Sequence, residues 1–284
     1  MSFSDYIYMN GNIILYKDAC LSIYDRGFLY GDGFFTTIRS DKGKLFFFKE
    51  HIWRLKRSCK IFKIRFPSSI EDISIFKQLL EVNKLNKCCA VVKVIITRGK
   101  KVEPGLPYGD SPTYIITANS YNPPYEKYKK GWYLISFDMP RLSPIAAYKS
   151  LNYLYNMWAR EHALEQGADE VVLIGNNGFV TETSVGTILF FKDGKWFTPY
   201  GDYILPGITI KMLGNIWAQK GIIIKHKKTT LTELIDSDQI WILNSLIGIM
   251  PVSRLNDHIF IPIDNWQYAD MCREELWNYA INYV

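Results

Sequence analysis

Lys149 and Glu182 bracket the stretch of this chain with the most legible chemistry. Lys149 follows a loop containing Pro140 and Pro144, and Glu182 follows the tight turn Asn176-Asn177-Gly178. A lysine amine can be held covalently against an aldehyde, and a carboxylate can keep a pyridine nitrogen protonated. Residue type alone does not single these two out among 34 basic and 28 acidic side chains, because a lysine is ordinarily a solvated surface charge. Two further segments suit an anion. Leu205-Pro206-Gly207-Ile208-Thr209 places a proline and a hydroxyl at a predicted helix start, where first-turn N–H groups lack intrahelical acceptors. Asn244-Ser245-Leu246-Ile247-Gly248 is a polar turn ending in glycine between two apolar runs. Arg54, on the polar face of a predicted helix, adds a cation. The histidines at 51, 162, 226 and 258 form no HExxH or other metal pair, so no metal site is expected. His51 itself reads as a helix-start side chain.

The order of these blocks carries more information than any one of them. DRGFLYGDGFFTTIR (25–39), HIWRL (51–55), KSLNYL (149–154), VTETSVGT (180–187), LPGIT (205–209) and NSLIGIMPV (244–252) follow one another along the chain. Together they resemble the class IV (fold type IV) pyridoxal-phosphate enzymes. That family includes branched-chain aminotransferases, D-amino-acid aminotransferases and 4-amino-4-deoxychorismate lyases. The resemblance runs from Asn10 to Val252.

It implies pyridoxal 5'-phosphate as cofactor, with Lys149 as its covalent anchor and the proton carrier of the reaction. Glu182 is implied to pair with the pyridine nitrogen, and Tyr153 to lie near the phenolic oxygen. Arg54, Ile208, Thr209, Asn244, Ser245 and Leu246 are implied to hold the phosphate. Thr187 stands where many relatives have asparagine, and Ile210 replaces a frequent arginine, with Lys211 as the candidate to compensate. Phe35-Thr36-Thr37 lacks the glutamate that many transaminases of the class carry after the aromatic residue. With the NSLIG loop, this run resembles the lyases, which release pyruvate and leave 4-aminobenzoate for folate synthesis. Thr37, with Thr36 as alternative, is then the expected proton donor to the leaving group, although both also suit a strand as β-branched filler. Phe35, Arg39, Arg98 and Lys101 (or Lys100) are the expected substrate contacts. The alternative is transamination of a branched-chain or D-amino acid with 2-oxoglutarate. Family members also imply a homodimer, with an active site between two domains covered by a partner loop.

Composition narrows the setting. A chain of 284 residues with 48% apolar side chains has material for a sizeable core. No apolar run approaches a membrane span, and the start lacks the pattern of a secretory signal. Five cysteines without metal or disulfide spacing point to a reducing cytoplasm. The net charge of +6 is spread along the chain, which suits a small carboxylate substrate and argues against nucleic acid.

Those side chains must be positioned by elements whose periods change along the chain. Residues 6–48 alternate as a meander of strands. Residues 50–64 form an amphipathic helix with Ile52, Leu55, Cys59 and Phe62 on its apolar face. Ser69 with Asp72 opens a second helix to about Asn86, and Ala90–Arg98 and Thr113–Ala118 are strands. NSYNPPYEKY is expected to be an extended connector. Beyond it come a helix over 150–166 with Leu151, Leu154, Trp158 and Ala159 buried, several strands, a helix from Gly207 to Lys220 and a C-terminal helix over 265–283. The fold class is α+β in two domains. A smaller N-terminal α/β sandwich covers 1–118, a linker 119–126, and a larger β-barrel-like C-terminal domain 127–284.

Overall fold

The computed structural model describes residues 5–100, 111–141, 143–262 and 264–283. The chain divides into two compact units. Met1–Asn122, Tyr148–Asn152 and Ala280–Val284 form the first, and Pro123–Ala147 with Tyr153–Tyr279 form the second. The linear division at 119–126 did not anticipate that Tyr148–Asn152 and the chain end belong with the first unit.

In the first unit lie β1 (Tyr6–Met9), β2 (Asn12–Leu15), α1 (Arg26–Tyr30), β3 (Gly33–Asp41), β4 (Lys44–Leu45), α2 (Phe48–Ile61), α3 (Ile73–Val82), β5 (Cys89–Thr97) and β6 (Thr113–Ser120). The expected meander is split, because the strand order is β2-β1-β6-β5-β3-β4. β3 pairs antiparallel with β5 from Gly33↔Thr97 to Asp41↔Cys89, a length that the four-residue β2 cannot match. Phe34 and Ile38 face a core closed by Ile52, Leu55 and Cys59 of α2 and by Phe76, Leu79 and Leu80 of α3. Asp72 caps α3 by accepting from Ser74 N at 2.9 Å. That helix stops earlier than expected because the Asn83 side chain turns to β1, donating to Tyr6 O at 2.9 Å and accepting from Tyr6 N at 3.0 Å.

The short return of the chain at 148–152 is an added edge to β3. Phe35 N donates to Lys149 O at 2.8 Å, and Leu151 N donates to Gly33 O at 2.9 Å. Gly33 is required there: a Cβ would meet Ile96 O at 2.5 Å and Leu151 Cδ1 at 2.8 Å. Asn152 completes the fastening by donating from Nδ2 to Gly31 O at 3.0 Å.

The second unit contains α4 (Tyr125–Lys130), β7 (Trp132–Arg141), α5 (Leu154–Glu165), β8 (Glu170–Gly175), β9 (Val180–Thr183), β10 (Thr187–Lys192), β11 (Lys195–Pro199), α6 (Ile208–Ala218), β12 (Ile224–Lys227), α7 (Leu231–Ile235), β13 (Gln239–Asn244), β14 (Gly248–Leu255), β15 (His258–Ile259) and most of α8 (Gln267–Asn282). Its sheet runs β12-β11-β10-β13-β14-β7-β8-β9, with β15 paired to β14. Where an extended connector was expected, α4 forms, because buried Tyr128 anchors it through a 2.8 Å bond to Ile247 O. The stripe expected on the following helix is also corrected. α5 begins only at Leu154, which is 82% exposed; it buries Ala159 as expected, but with Asn156 and Ala163 in place of Leu154 and Trp158. The core is aromatic: the Trp241 ring lies 4.4 Å from that of Trp196 and 6.0 Å from that of Trp217. All five cysteines are free thiols, and no described helix is long and apolar enough to cross a membrane.

Candidate active site

In the first unit β3 presents two faces, since strand side chains alternate. Thr36 points with Phe34 and Ile38 toward α2 and is fully buried. Its Oγ1 lies 2.7 Å from Nδ1 of His51 and accepts from Arg54 NH2 at 3.1 Å. Burial, then the positive charges of Arg54 and Lys149, hold the His51 ring well below the usual histidine range, so it is neutral. The HIWRL block therefore contributes two inward side chains three positions apart, His51 and Arg54, one helical turn along α2. Sequence reasoning took His51 for a helix-start side chain. The signal that could have exposed it was its i, i+4 spacing to the buried Leu55.

Phe35, Thr37 and Arg39 occupy the opposite face. Lys149 Nζ stands 5.0 Å from the centre of the Phe35 ring, and Lys93 Nζ, from β5, stands 4.9 Å from the same centre. Thr37 is the cross-strand partner of Lys93 and is half-buried. This unit thus gathers two ammonium groups, an aromatic ring and a hydroxyl on one face. Lys93 was missed because a lone lysine in an apolar run reads as a solvated side chain, and it is indeed exposed, with its ammonium over the Phe35 ring. Arg39 is buried, with its guanidinium over the rings of Phe46 and Tyr121 at 5.9 and 5.8 Å.

Arg98 directly follows β5. Its Nε and NH2 donate to Asp32 at 2.7 and 3.1 Å, its NH2 also to Phe62 O at 3.0 Å, and its NH1 to Lys63 O at 3.0 Å. The guanidinium ties the Gly31-Asp32-Gly33 corner to the end of α2. Lys101 lies outside the described residues.

In the second unit Glu182, on β9, is buried and receives a bond from Arg141 NH1; the two side chains are 7% and 8% exposed. Arg141 closes β7, an apolar strand with no polar pattern to mark its last residue as functional. Just past Glu182, the turn 183–186 is fixed on several sides. Thr183 Oγ1 donates to Gly186 O at 3.0 Å, and Ser184 O accepts from Tyr153 OH at 2.9 Å and from Asn156 Nδ2 at 2.8 Å. Behind it, fully buried Glu170 accepts on Oε1 from Ser184 N, Ser184 Oγ and Val171 N. Burial pushes the Glu170 carboxyl up, partly offset by these donors.

The two anion segments, 35 residues apart in sequence, meet at one strand end. α6 begins after Gly207, whose position no side chain caps, leaving first-turn N–H groups to a ligand. A Cβ on Gly207 would lie 2.4 Å from Thr187 Oγ1, so the helix start sits directly against β10. Thr187 in turn pairs with Leu243, the residue before Asn244. Asn244 Oδ1 accepts from Leu246 N at 2.9 Å and Ile247 N at 3.0 Å, which folds the turn. Ile208 and Thr209 are buried, and Ser245 and Leu246 are half-buried. A hydroxyl-lined cradle that a methyl would fill, uncapped helix N–H groups and a buried carboxylate elsewhere in the unit match the donor set for a phosphorylated pyridinium ring. The group fits these residues of the second unit.

Comparison with known proteins gives the same direction. The model of the amino-transferase class IV family matches residues 33–255. A putative branched-chain-amino-acid aminotransferase of Methanocaldococcus jannaschii is 32% identical over 94% of this chain and 93% of its own length. A D-alanine aminotransferase of Staphylococcus epidermidis is 31% identical over 88% of this chain and 89% of its own. An aminodeoxychorismate lyase of Bacillus subtilis is 30% identical over 88% and 87%. Among solved structures, a putative 4-amino-4-deoxychorismate lyase of Legionella pneumophila superposes with a TM-score of 0.84 at 28% identity, covering 93% of this chain and 96% of that one. A hypothetical aminotransferase of Mycobacterium tuberculosis in a PLP-bound form gives 0.82 at 23% identity, covering 97% and 98%.

Proposed function

The chain belongs to the amino-transferase class IV family of pyridoxal-phosphate enzymes, and from that footing we propose that it is a 4-amino-4-deoxychorismate lyase. Lys149 would anchor the cofactor, with Glu182 at the pyridine nitrogen and Tyr153 at the phenolic side. Arg54, the α6 start at Ile208 and Thr209, and the Asn244-Ser245-Leu246 turn would hold the phosphate. When bound, the cofactor supplies an electron sink for the bond broken at the substrate carbon that carries nitrogen.

Around that chemistry the chain's own residues have separable tasks. The Lys149 amine takes the proton from the carbon bearing nitrogen. The Thr37 hydroxyl gives a proton to the departing enolpyruvyl group, so one proton leaves the ring carbon and one reaches the leaving group. General acid help of this kind is typically worth about 10²–10⁴-fold. Lys93, beside Thr37 and over the same Phe35 ring as Lys149, takes the role of carboxylate cation first sought at Arg98; Arg39 is a deeper candidate. The products are pyruvate and 4-aminobenzoate, and the setting is folate synthesis in the cytoplasm by a homodimer.

The observation that carries this reading is the Phe35-Thr36-Thr37 run on β3. It offers Arg54 the neutral Thr36 hydroxyl and places a second hydroxyl, Thr37, on the face of Phe35 and Lys93. A second reading, amino transfer from a branched-chain or D-amino acid to 2-oxoglutarate, draws equal support from the D-alanine and branched-chain relatives. The two differ in their need for a keto acid. Purified holoenzyme is to be given aminodeoxychorismate alone while pyruvate and 4-aminobenzoate are followed. Sustained turnover, reduced at least a hundredfold in Thr37→Val with cofactor retained, supports the lyase. No turnover, with steady amino transfer to 2-oxoglutarate, replaces it with the transaminase.

A further inference from the structure

The Thr36 hydroxyl joins two groups with different needs. Arg54 is a donor only, so its NH2 must use a lone pair of Thr36 Oγ1, 3.1 Å away. The hydroxyl proton is then free to point elsewhere, and Nδ1 of His51 lies 2.7 Å from the same oxygen. Thr36 and His51 are both fully buried, where a misdirected hydroxyl would leave a polar group without a partner. One arrangement satisfies both contacts: Thr36 donates to Nδ1 and accepts from Arg54, with the imidazole neutral and its proton on Nε2. The chain His51–Thr36–Arg54 thereby acquires a direction.

We infer that His51 is a positioning residue for Arg54, acting through the Thr36 hydroxyl to fix where the guanidinium points. The inference rests on the proposal that Arg54 serves the cofactor's phosphate. A guanidinium on an α2 side chain has several torsions to lose, and a hydroxyl that could rotate would not restrict them. Fixing the proton on His51 turns the Thr36 oxygen into a stationary acceptor. The same geometry separates the two threonines: Thr36 belongs to this buried relay, and Thr37 stays on the opposite face.

The test compares affinities of the apoprotein for pyridoxal phosphate and for pyridoxal, measured by fluorescence titration. Their ratio isolates the phosphate contribution from the common attachment at Lys149. Arg54→Gln is expected to lower the ratio at least tenfold, which tests the underlying proposal. His51→Leu is expected to lower it about tenfold, the effect of stranding one buried donor. His51→Asn, whose Oδ1 can replace the Nδ1 acceptor, should recover the ratio to within about threefold. In an Arg54→Gln background, His51→Leu should have no further effect, since the two act as one unit. If His51→Leu does not fold, Thr36→Val cuts the same relay and carries the same expectation. An unchanged ratio in His51→Leu or Thr36→Val, beside a loss in Arg54→Gln, overturns the inference and leaves the phosphate proposal standing. An unchanged ratio in Arg54→Gln overturns both.

Discussion

Glu182 illustrates what a single buried charge demands of its surroundings. Its carboxylate is 7% exposed and is met by Arg141 from the end of β7. A buried pair of this kind contributes little net stability over an apolar pair, but removing one partner strands the other's charge, typically at about 3–5 kcal/mol. Arg141→Met should therefore lower the urea stability of the apoprotein by about 3 kcal/mol. Adding Glu182→Leu should restore most of that loss without restoring retention of pyridoxal phosphate. A single Arg141→Met variant as stable as wild type would mean that Glu182 does not depend on Arg141. The buried thiols show the same scale from another side: burial pushes Cys59 up to about 12 and Cys272 up to about 11, which suits packing and not reactivity.

At the scale of elements, Asp32 joins four of them. It accepts from Arg26 of α1 at 2.8 Å and from Arg98 after β5 at 2.7 and 3.1 Å, and Arg98 reaches on to the carbonyls that end α2. Burial raises its carboxyl, but hydrogen bonds and charge from Arg98 and Arg26 outweigh that and hold it below its ordinary 3.8. A lowered carboxylate stabilises the fold above its unfolded pKa, and the contribution is lost as pH falls through the lowered value. Asp32→Asn should cost about 2 kcal/mol at neutral pH, the order of losing charge-assisted hydrogen bonds. That gap from wild type should stay constant on acidification to about pH 4 and close below it. A gap independent of pH through that range would mean that the carboxylate charge does not contribute.

At the scale of the whole molecule, residues 21–30 carry a run of exposed apolar side chains. Ile23 and Phe28 are each 67% exposed, and Leu21, Tyr24, Leu29 and Tyr30 lie close by in the chain with 44–62% exposed. Clusters of this type on a soluble fold usually meet another surface. In the proposed homodimer this segment is buried against a second copy. Sedimentation equilibrium should give twice the 33.0 kDa chain mass, and Ile23→Lys with Phe28→Lys should shift it toward one chain. A fully active monomer in the unsubstituted protein would remove the proposal.

Local signals decided much of this protein before any tertiary contact. The apolar period of α2 placed Ile52, Leu55 and Cys59 inward, and the Thr-x-x-Glu spacing of Thr230 and Glu233 forms a capping box at the start of α7. The ordered blocks from Asp25 to Val252 carried the family and its cofactor, because chemistry on a shared ligand constrains residue type at each contact. Tertiary structure decided what periodicity could not. Leu151, read as helix, pairs instead with Gly33, so α5 starts later and Ala159 shares its buried stripe with Asn156 and Ala163. β3 found its partner β5, a strand of matching length, across the intervening residues 42–88. Which threonine faces α2, and that Arg98 reaches Asp32, follow from that register. These are outcomes of long-range packing, where a one-residue shift exchanges the two faces of a strand.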